Sequence, residues 1–125
     1  MGINRCFNIM DFRRIAKRKL PAPVFHYLDG GAVEDWSLRR NTVAYDVFEL
    51  LPSHLSDLIS IDTRSTFFGE PVDLPLMISP TGANRLFHRD GEPAVAKAAE
   101  EAGIPYSLST VGTTAIDEIA AIGSN

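Results

Sequence analysis

The sequence has one cysteine, no excess of basic residues and no long apolar run, and each of these shortages excludes a class of protein. With Cys6 as its single cysteine, the chain cannot hold an internal disulfide, which is typical of a reducing compartment. A formal net charge of −4 does not supply the basic stripe of a nucleic-acid-binding surface, so we predict no nucleic-acid partner. No run of about 18 apolar residues occurs, so we predict no membrane-spanning helix. The first residues also lack the apolar stretch of a signal peptide, and we expect a soluble cytoplasmic chain.

Helix caps and the helical spacing of apolar residues predict three helices in the first part of the chain. Asn8 is a good N-cap for an amphipathic helix, whose many basic residues are expected on its solvated face. The pair Gly30–Gly31 is a strong stop signal for the second helix. The three predicted helices run from Asn8 to about Lys19, over Val24–Leu28, and from about Glu34 to Phe48.

From residue 52 onward the pattern changes to short apolar runs that alternate with helices. The order strand, helix, strand, helix predicts parallel strands and thus an α/β fold. We place a domain boundary between a helical and β-hairpin prefix, residues 1–73, and the βαβα part, residues 74–125. The predicted elements are the β-type runs Ile59–Asp62 and Thr66–Phe68, the strands Leu76–Ser79 and Tyr106–Thr110, and the helices Glu92–Ala102 and Ala115–Ile122, the last capped by Thr113 or Thr114.

Two loops follow the carboxyl ends of the predicted strands, where parallel α/β proteins bind their ligands. They are Pro80–Ala83 and Thr110–Thr113, and both combine small residues with hydroxyl groups. Glycine lets a flat ligand approach the backbone, but the same residues also suit ordinary turns, which spacing alone favours. Tyr27 also has two possible roles: its phenol could bind a carboxylate, or its ring could belong to the apolar core. Spacing alone favours the core. No histidine has a partner at metal-ligand spacing, so we predict no metal site.

Several segments, in order along the chain, resemble the FMN-dependent 2-hydroxy-acid dehydrogenase/oxidase family, which includes glycolate oxidase, L-lactate dehydrogenase and mandelate dehydrogenase. Each segment alone is a weak signal, and their common order makes the resemblance specific over nearly the whole chain. One departure is the pair Ser53-His54 after Pro52, where the family usually has arginine. The segments are Leu20-Pro21, Val24–Ala32, Arg40-Asn41, Leu74–Gly82, His88–Glu92, Ala102–Pro105 and Leu108–Thr110.

The resemblance implies a (β/α)8 TIM barrel, of which this chain would hold the N-terminal helices and the first two βα units, with FMN as cofactor. By that resemblance the backbone of Pro80, Thr81 and Gly82 would form a wall against the flavin near its N5. Ser109 would hydrogen-bond to the isoalloxazine ring, and Tyr27 would bind the substrate carboxylate. The catalytic base and the phosphate-binding loop would lie beyond residue 125, so we expect the chain alone to be inactive.

The resemblance also implies a reaction for the full-length protein, the oxidation of an L-2-hydroxy acid such as lactate or mandelate to the 2-oxo acid. Gly82 favours a dehydrogenase that passes electrons to a quinone or another carrier, since oxidases of the family commonly have alanine there. Three alternatives stay open: an oxygen-using oxidase, a non-catalytic truncated fragment or interaction module, and another FMN barrel such as a type 2 isopentenyl-diphosphate isomerase. The full-length protein is expected to be a homo-oligomer, with peripheral attachment to the inner face of the membrane left open.

Overall fold

The computed structural model describes residues 3–55, 57 and 59–123. The chain divides into two compact units, Met1–Asp57 and Leu58–Asn125. The first unit is helical, and the second combines helices with short stretches of β structure. This division falls earlier than the boundary suggested at residue 73, because the β-hairpin packs with the second unit. At the end of the hairpin the backbone N–H of Asp73 donates to the carbonyl of Gly103 over 3.0 Å.

The first helix, α1, spans Ile9–Lys19 and begins as its N-cap predicts. Asn8 Oδ1 accepts a hydrogen bond from the backbone N–H of Asp11 over 3.0 Å, which satisfies one of the donors that a helix start leaves without a partner. The Asp11 carboxylate accepts in turn from the backbone N–H of Phe7 over 3.1 Å and is buried. The prediction of this helix from Asn8 to Lys19 is confirmed.

Helix α2 spans Ala22–Asp29 and packs against α1. Phe25 is a buried apolar side chain of this unit, and the Arg13 guanidinium lies 5.8 Å from the centre of its ring. Arg13 also forms a two-pronged ion pair with Asp29, whose hydrogen bonds hold the pKa of Asp29 below its ordinary value. One basic residue of α1 is therefore an inter-helix contact rather than part of a purely solvated face.

Helix α3 spans Trp36–Val43 and is shorter than the predicted helix from Glu34 to Phe48. Asp35, at its N-cap, has a left-handed backbone with φ of 54°, which interrupts helical geometry before Trp36. At the other end the helix tightens into a 3₁₀ turn over Ala44–Val47. The position of the third helix is correct, and its predicted length is wrong.

The second unit begins with an antiparallel hairpin of β1, Ser65–Phe67, and β2, Glu70–Val72. The two linking residues, Phe68 and Gly69, have φ of 51° and 91°, as a two-residue hairpin turn requires. The predicted β-type run Thr66–Phe68 therefore overlaps β1 and is shifted from it by one residue. The predicted run Ile59–Asp62 is wrong, since none of its residues is in a strand. There the Asp62 carboxylate bonds to the backbone N–H and guanidinium of Arg64, a local turn interaction that competes with strand pairing.

The two strands predicted at Leu76–Ser79 and Tyr106–Thr110 meet at a single parallel bridge, between Ile78 and Tyr106. The Ile78 N–H donates to the carbonyl of Pro105 over 2.9 Å, and the Ile78 carbonyl accepts from Ser107 over 3.0 Å. Their parallel direction is confirmed, but neither forms a full strand within the described residues. Prolines at 75, 80 and 105 border these stretches and supply no N–H donors, which shortens the ladder. We call residues 76–79 the first parallel segment and residues 106–110 the second.

Helix α4 spans Gly91–Glu101, and its alanines form the apolar centre of the second unit. It ends in a Schellman motif, in which Gly103, with φ of 62°, donates to Glu100 and Ile104 donates to Ala99, both over 3.1 Å. Helix α5 spans Ile116–Ala120, within the predicted range Ala115–Ile122. The predicted cap is wrong: Ala115 occupies the N-cap of α5. The buried apolar side chains of this unit are Val72, Ala96, Ala99 and Ile104.

Among residues 3–55, 57 and 59–123, no helix has both the length and the apolar character needed to cross a membrane. In the same part of the chain, no three His, Cys, Asp or Glu side chains lie close enough together to hold a metal ion.

Candidate functional site

The loops that follow the two parallel segments lie side by side. We call residues 80–83 the first loop and residues 110–113 the second loop. The backbone N–H of Ala83 donates to the carbonyl of Val111 over 3.0 Å. A Cβ at Gly82 would overlap Cγ2 of Val111 and would lie 3.4 Å from Oγ of Ser109. The approach of the two loops thus depends on glycine at 82, and the structure brings Gly82 and Ser109 together.

The hydroxyl groups of Thr81 and Ser109 form hydrogen bonds within their own stretches of chain. Thr81 Oγ1 donates to Asn84 Oδ1 over 3.2 Å. Ser109 Oγ accepts from the backbone N–H of Val111 over 3.2 Å, and because a hydroxyl carries one donor and two acceptor positions, Ser109 can still donate to a further group. Pro80 and Thr81 are exposed, and Gly82 and Ser109 are half-buried. These four residues therefore form a partly open surface of backbone and hydroxyl groups.

The buried carboxylate of Glu92 accepts hydrogen bonds from residues at or next to the ends of both loops. It is in the first turn of α4 and has 0% of its surface exposed. Its Oε1 accepts from the backbone N–H of Asn84 over 3.2 Å and from that of Thr113 over 2.8 Å. Its Oε2 accepts from the hydroxyls of Thr113 and Thr114, the latter over 3.0 Å. One side chain thus bonds to the chain immediately after the first loop and to the end of the second.

The role of Glu92 is not predicted from the sequence, where this residue marks only the start of a helix and part of a family segment. A signal was present, because Glu92 is a single carboxylate in the first turn of a helix otherwise rich in alanine. The two threonines that bond to it have the spacing of a helix cap for α5. Their hydroxyls instead donate to a side chain 21 and 22 residues away in sequence. Local spacing gives no information on a partner at that separation.

Glu92 is ionised at neutral pH despite its burial. Burial acts to raise the pKa of this carboxyl group, but the hydrogen bonds from Thr113 and Asn84 act in the opposite direction and prevail. The net effect lowers the pKa of Glu92 to about 2. Burial, together with the nearby charge of Glu92, raises the pKa of Tyr106. The site therefore contains one buried negative charge that is held by hydrogen-bond donors.

Two polar atoms of this unit, Asn84 Nδ2 and the Tyr106 hydroxyl, are buried and have no hydrogen-bond partner among the described residues.

An open depression of about 310 Å³ lies beside Ser109. Its lining combines small or hydroxyl-bearing residues with two large apolar side chains. Its lining residues are Leu108, Ser109, Thr110, Gly112, Thr114 and Ile116.

Tyr27 lies in the other unit, on α2, and 71% of its surface is exposed. It is therefore not a core residue of its helix pair; Phe25, two positions earlier, is the buried side chain. Exposure leaves the phenol accessible to a ligand, and its binding of a carboxylate stays a prediction.

Comparison with known proteins gives a consistent set of relatives. The family described as FMN-dependent dehydrogenase matches residues 16–125. The L-lactate dehydrogenase of Vibrio cholerae is 43% identical over 110 residues, which is 88% of this chain and 29% of that protein. The 4-hydroxymandelate oxidase of Amycolatopsis orientalis is 38% identical over 116 residues, 93% of this chain and 32% of the relative.

The chain is also similar to solved structures of proteins that act on 2-hydroxy acids. The structure of an oxidised active mutant of (S)-mandelate dehydrogenase superimposes with a TM-score of 0.89 at 32% sequence identity, over 97% of this chain and 34% of the other. The chain therefore spans about a third of the length of the proteins it matches.

Proposed function

The chain belongs to the FMN-dependent dehydrogenase family, and from this premise we propose that it forms the N-terminal third of an enzyme that oxidises an L-2-hydroxy acid to the 2-oxo acid. The substrate class comes from relatives named for lactate and 4-hydroxymandelate. In the proposed protein this chain supplies one wall of the flavin site and one substrate contact. The residues that remove protons from the substrate come from later parts of the full-length protein.

The adjacency of Gly82 and Ser109 is the observation that carries this proposal. A cofactor ring needs a surface without protruding side chains, which glycine at 82 would supply, and the absence of a Cβ also allows Gly82 to lie beside Val111 and Ser109. The residues present fit FMN: the backbone of Pro80, Thr81 and Gly82 would form the wall, and Ser109 would donate a hydrogen bond to the ring. Bound FMN would accept two electrons from the α-carbon of the hydroxy acid. Tyr27 would hold the substrate carboxylate through its phenol.

The parallel bridge between Ile78 and Tyr106 supports a barrel for the full-length protein. Parallel segments joined by a helix, with loops at their carboxyl ends that form a site, are the repeating unit of a (β/α)8 barrel. The chain would supply the helices before the barrel and its first two βα units. We propose that the edges of these two segments pair with further strands of the same protein.

Glycine at position 82 favours a dehydrogenase over an oxygen-using oxidase, so we propose a quinone or similar carrier as the electron acceptor. The relatives include proteins named as dehydrogenases and as oxidases, so the acceptor needs its own measurement. We further propose that the full-length protein is a cytoplasmic homo-oligomer. Peripheral attachment to the inner face of the membrane is the alternative location.

The test is to prepare the full-length holoenzyme, by continuing the chain beyond residue 125 along its reading frame. A second form joins residues 1–125 to the corresponding remainder of Vibrio cholerae L-lactate dehydrogenase, and that intact relative is the control. We expect bound FMN, bleaching of its absorbance by L-lactate or (S)-mandelate without oxygen, and faster reoxidation by a quinone than by oxygen. A full-length protein that binds no FMN would contradict the proposal. Faster reoxidation by oxygen would favour the oxidase alternative.

A further inference from the structure

We propose that Glu92 is a positioning residue of the flavin site. Its carboxylate is long enough to accept hydrogen bonds from both sides, and it thereby fixes the first and second loops relative to each other. The inference rests on the proposed function, since it assigns to Glu92 the task of shaping the surface that FMN would contact. Glu92 does not itself lie on that surface, because the side chain is fully buried beneath the loops. It acts through Gly82 and Ser109.

The bonding pattern of Glu92 supports this role because its four donors come from both sides of the site. Asn84, which follows the first loop, donates its backbone N–H to Oε1, and its side-chain oxygen accepts from Thr81. Thr113, the last residue of the second loop, donates both its backbone N–H and its hydroxyl. A change in the position of the carboxylate is therefore transmitted to Thr81 on one side and to the second loop on the other.

A carboxylate in this position has a cost that an ordinary packing residue would avoid. Burying a charge is unfavourable unless it is paired or well supplied with hydrogen bonds. In the part of the chain that the structure describes, no lysine or arginine forms an ion pair with Glu92. Hydrogen bonds from backbone and hydroxyl donors alone balance the charge. An acceptor with two oxygens and the reach of a glutamate is what allows both loops to be held at once.

Length and charge can be separated by two substitutions. Glu92→Asp keeps the charge but retracts the carboxylate by one methylene, so it cannot reach Asn84 and Thr113 together. Glu92→Gln keeps the length. Its amide oxygen can accept from the two backbone N–H groups, while its NH₂ group can donate to the hydroxyls of Thr113 and Thr114 after they rotate. A positioning role thus predicts that Glu92→Asp is more damaging than Glu92→Gln, and a purely electrostatic role predicts the reverse order.

The experiment uses the full-length holoenzyme and measures the FMN dissociation constant, the visible circular dichroism of bound FMN, and the rate of flavin reduction by substrate. Misplacement of supporting groups by about 1 Å can cost about 100-fold in rate, so we expect Glu92→Asp to weaken FMN binding by at least about 10-fold and to change the visible spectrum. Glu92→Gln should stay within about 3-fold of the unmodified enzyme, which is below 1 kcal/mol. Glu101→Asp, on the exposed side of the same helix, is the matched control.

Each outcome decides a different point. If the Glu92→Asp holoenzyme has unchanged FMN affinity and spectrum, the positioning role is wrong. If Glu92→Gln is as damaging as Glu92→Asp, charge rather than reach is the important property, and the inference also fails. Should Glu92→Asp give no folded protein, Thr113→Val removes a single hydroxyl bond and is expected to change the visible spectrum of bound FMN; an unchanged spectrum overturns the inference. An unmodified full-length protein without FMN overturns the proposed function itself, and the inference with it.

Discussion

Gly82 lies so close to Val111 that a Cβ on the glycine would occupy the space of the valine Cγ2 atom. The two residues belong to different loops, and the hydrogen bond from Ala83 to the carbonyl of Val111 holds them at this distance. Val111 is itself exposed, so its side chain is a contact of the loop surface rather than of a core. An alanine at position 82 would therefore require the exposed side chain of Val111 to move.

Replacing Gly82 with alanine should destabilise the full-length holoenzyme by about 1–3 kcal/mol, the usual cost of inserting an atom into a filled space. The double variant Gly82→Ala with Val111→Ala should recover most of that loss, because the second change removes the methyl group in conflict. Val111→Ala alone is the control and should stay within about 0.5 kcal/mol of the unmodified protein. Urea unfolding measures all three, and a Gly82→Ala protein of unchanged stability would show that the loops separate easily.

Gly103 should be a more sensitive position than Gly69, although both have a positive φ. Alanine at either site pays the strain of a left-handed backbone, about 1–2 kcal/mol. At Gly69 the added Cβ meets no atom within 4 Å, whereas at Gly103 it would overlap the Asp73 carboxylate and lie 2.9 Å from the Asp73 Cβ. We expect Gly103→Ala to lower the melting temperature of the full-length holoenzyme clearly more than Gly69→Ala does. Equal losses would show that Asp73 moves aside without cost.

The low pKa of Glu92 predicts a loss of stability in acid. Its ordinary pKa of 4.5 applies to the unfolded chain, and the folded state lowers it to about 2. Because the folded pKa is the lower one, the carboxylate stabilises the fold fully above about pH 5 and loses this contribution as the pH falls from about 4.5 to about 2. The stability difference between the unmodified protein and Glu92→Gln should be constant from about pH 8 to 6 and shift against the unmodified protein at about pH 3. A difference that stays constant to pH 3 would contradict the shift.

Local signals in the sequence predict the positions of the helices and the direction of the parallel segments, but not the ends of α3 or the cap of α5. The Asn8 cap of α1 and the Gly103 end of α4 are short-range features, and both occur in the structure as the residue types indicate. The alternation of short apolar runs with helices also predicts that these two segments are parallel, which the bridge between Ile78 and Tyr106 confirms. These features need only residues within one turn or the order of elements along the chain.

Features that depend on distant partners were not predictable in this way. The run Ile59–Asp62 has the composition of a strand, but β1 pairs with the residues that follow its own turn. Thr113 and Thr114 look like a helix cap until Glu92, one βα unit earlier, supplies a better acceptor. The candidate site also depends on residues that are distant in sequence. Its residue types left a choice between ordinary turns and ligand-binding loops, and the closeness of Gly82 to Ser109 is a property of the fold.

The isolated chain of 125 residues should purify without stoichiometric FMN. Its two parallel segments share a single bridge, and their remaining backbone edges invite pairing with other chains. Large apolar side chains of the second unit are more than half exposed, among them Leu76, Leu86, Val111 and Ile116. We therefore expect a broad, weakly cooperative melt and aggregates in gel filtration, with the full-length holoenzyme as the control. A yellow, monodisperse product with a sharp melt would contradict this expectation, and it would favour a self-sufficient module over a part of a larger barrel.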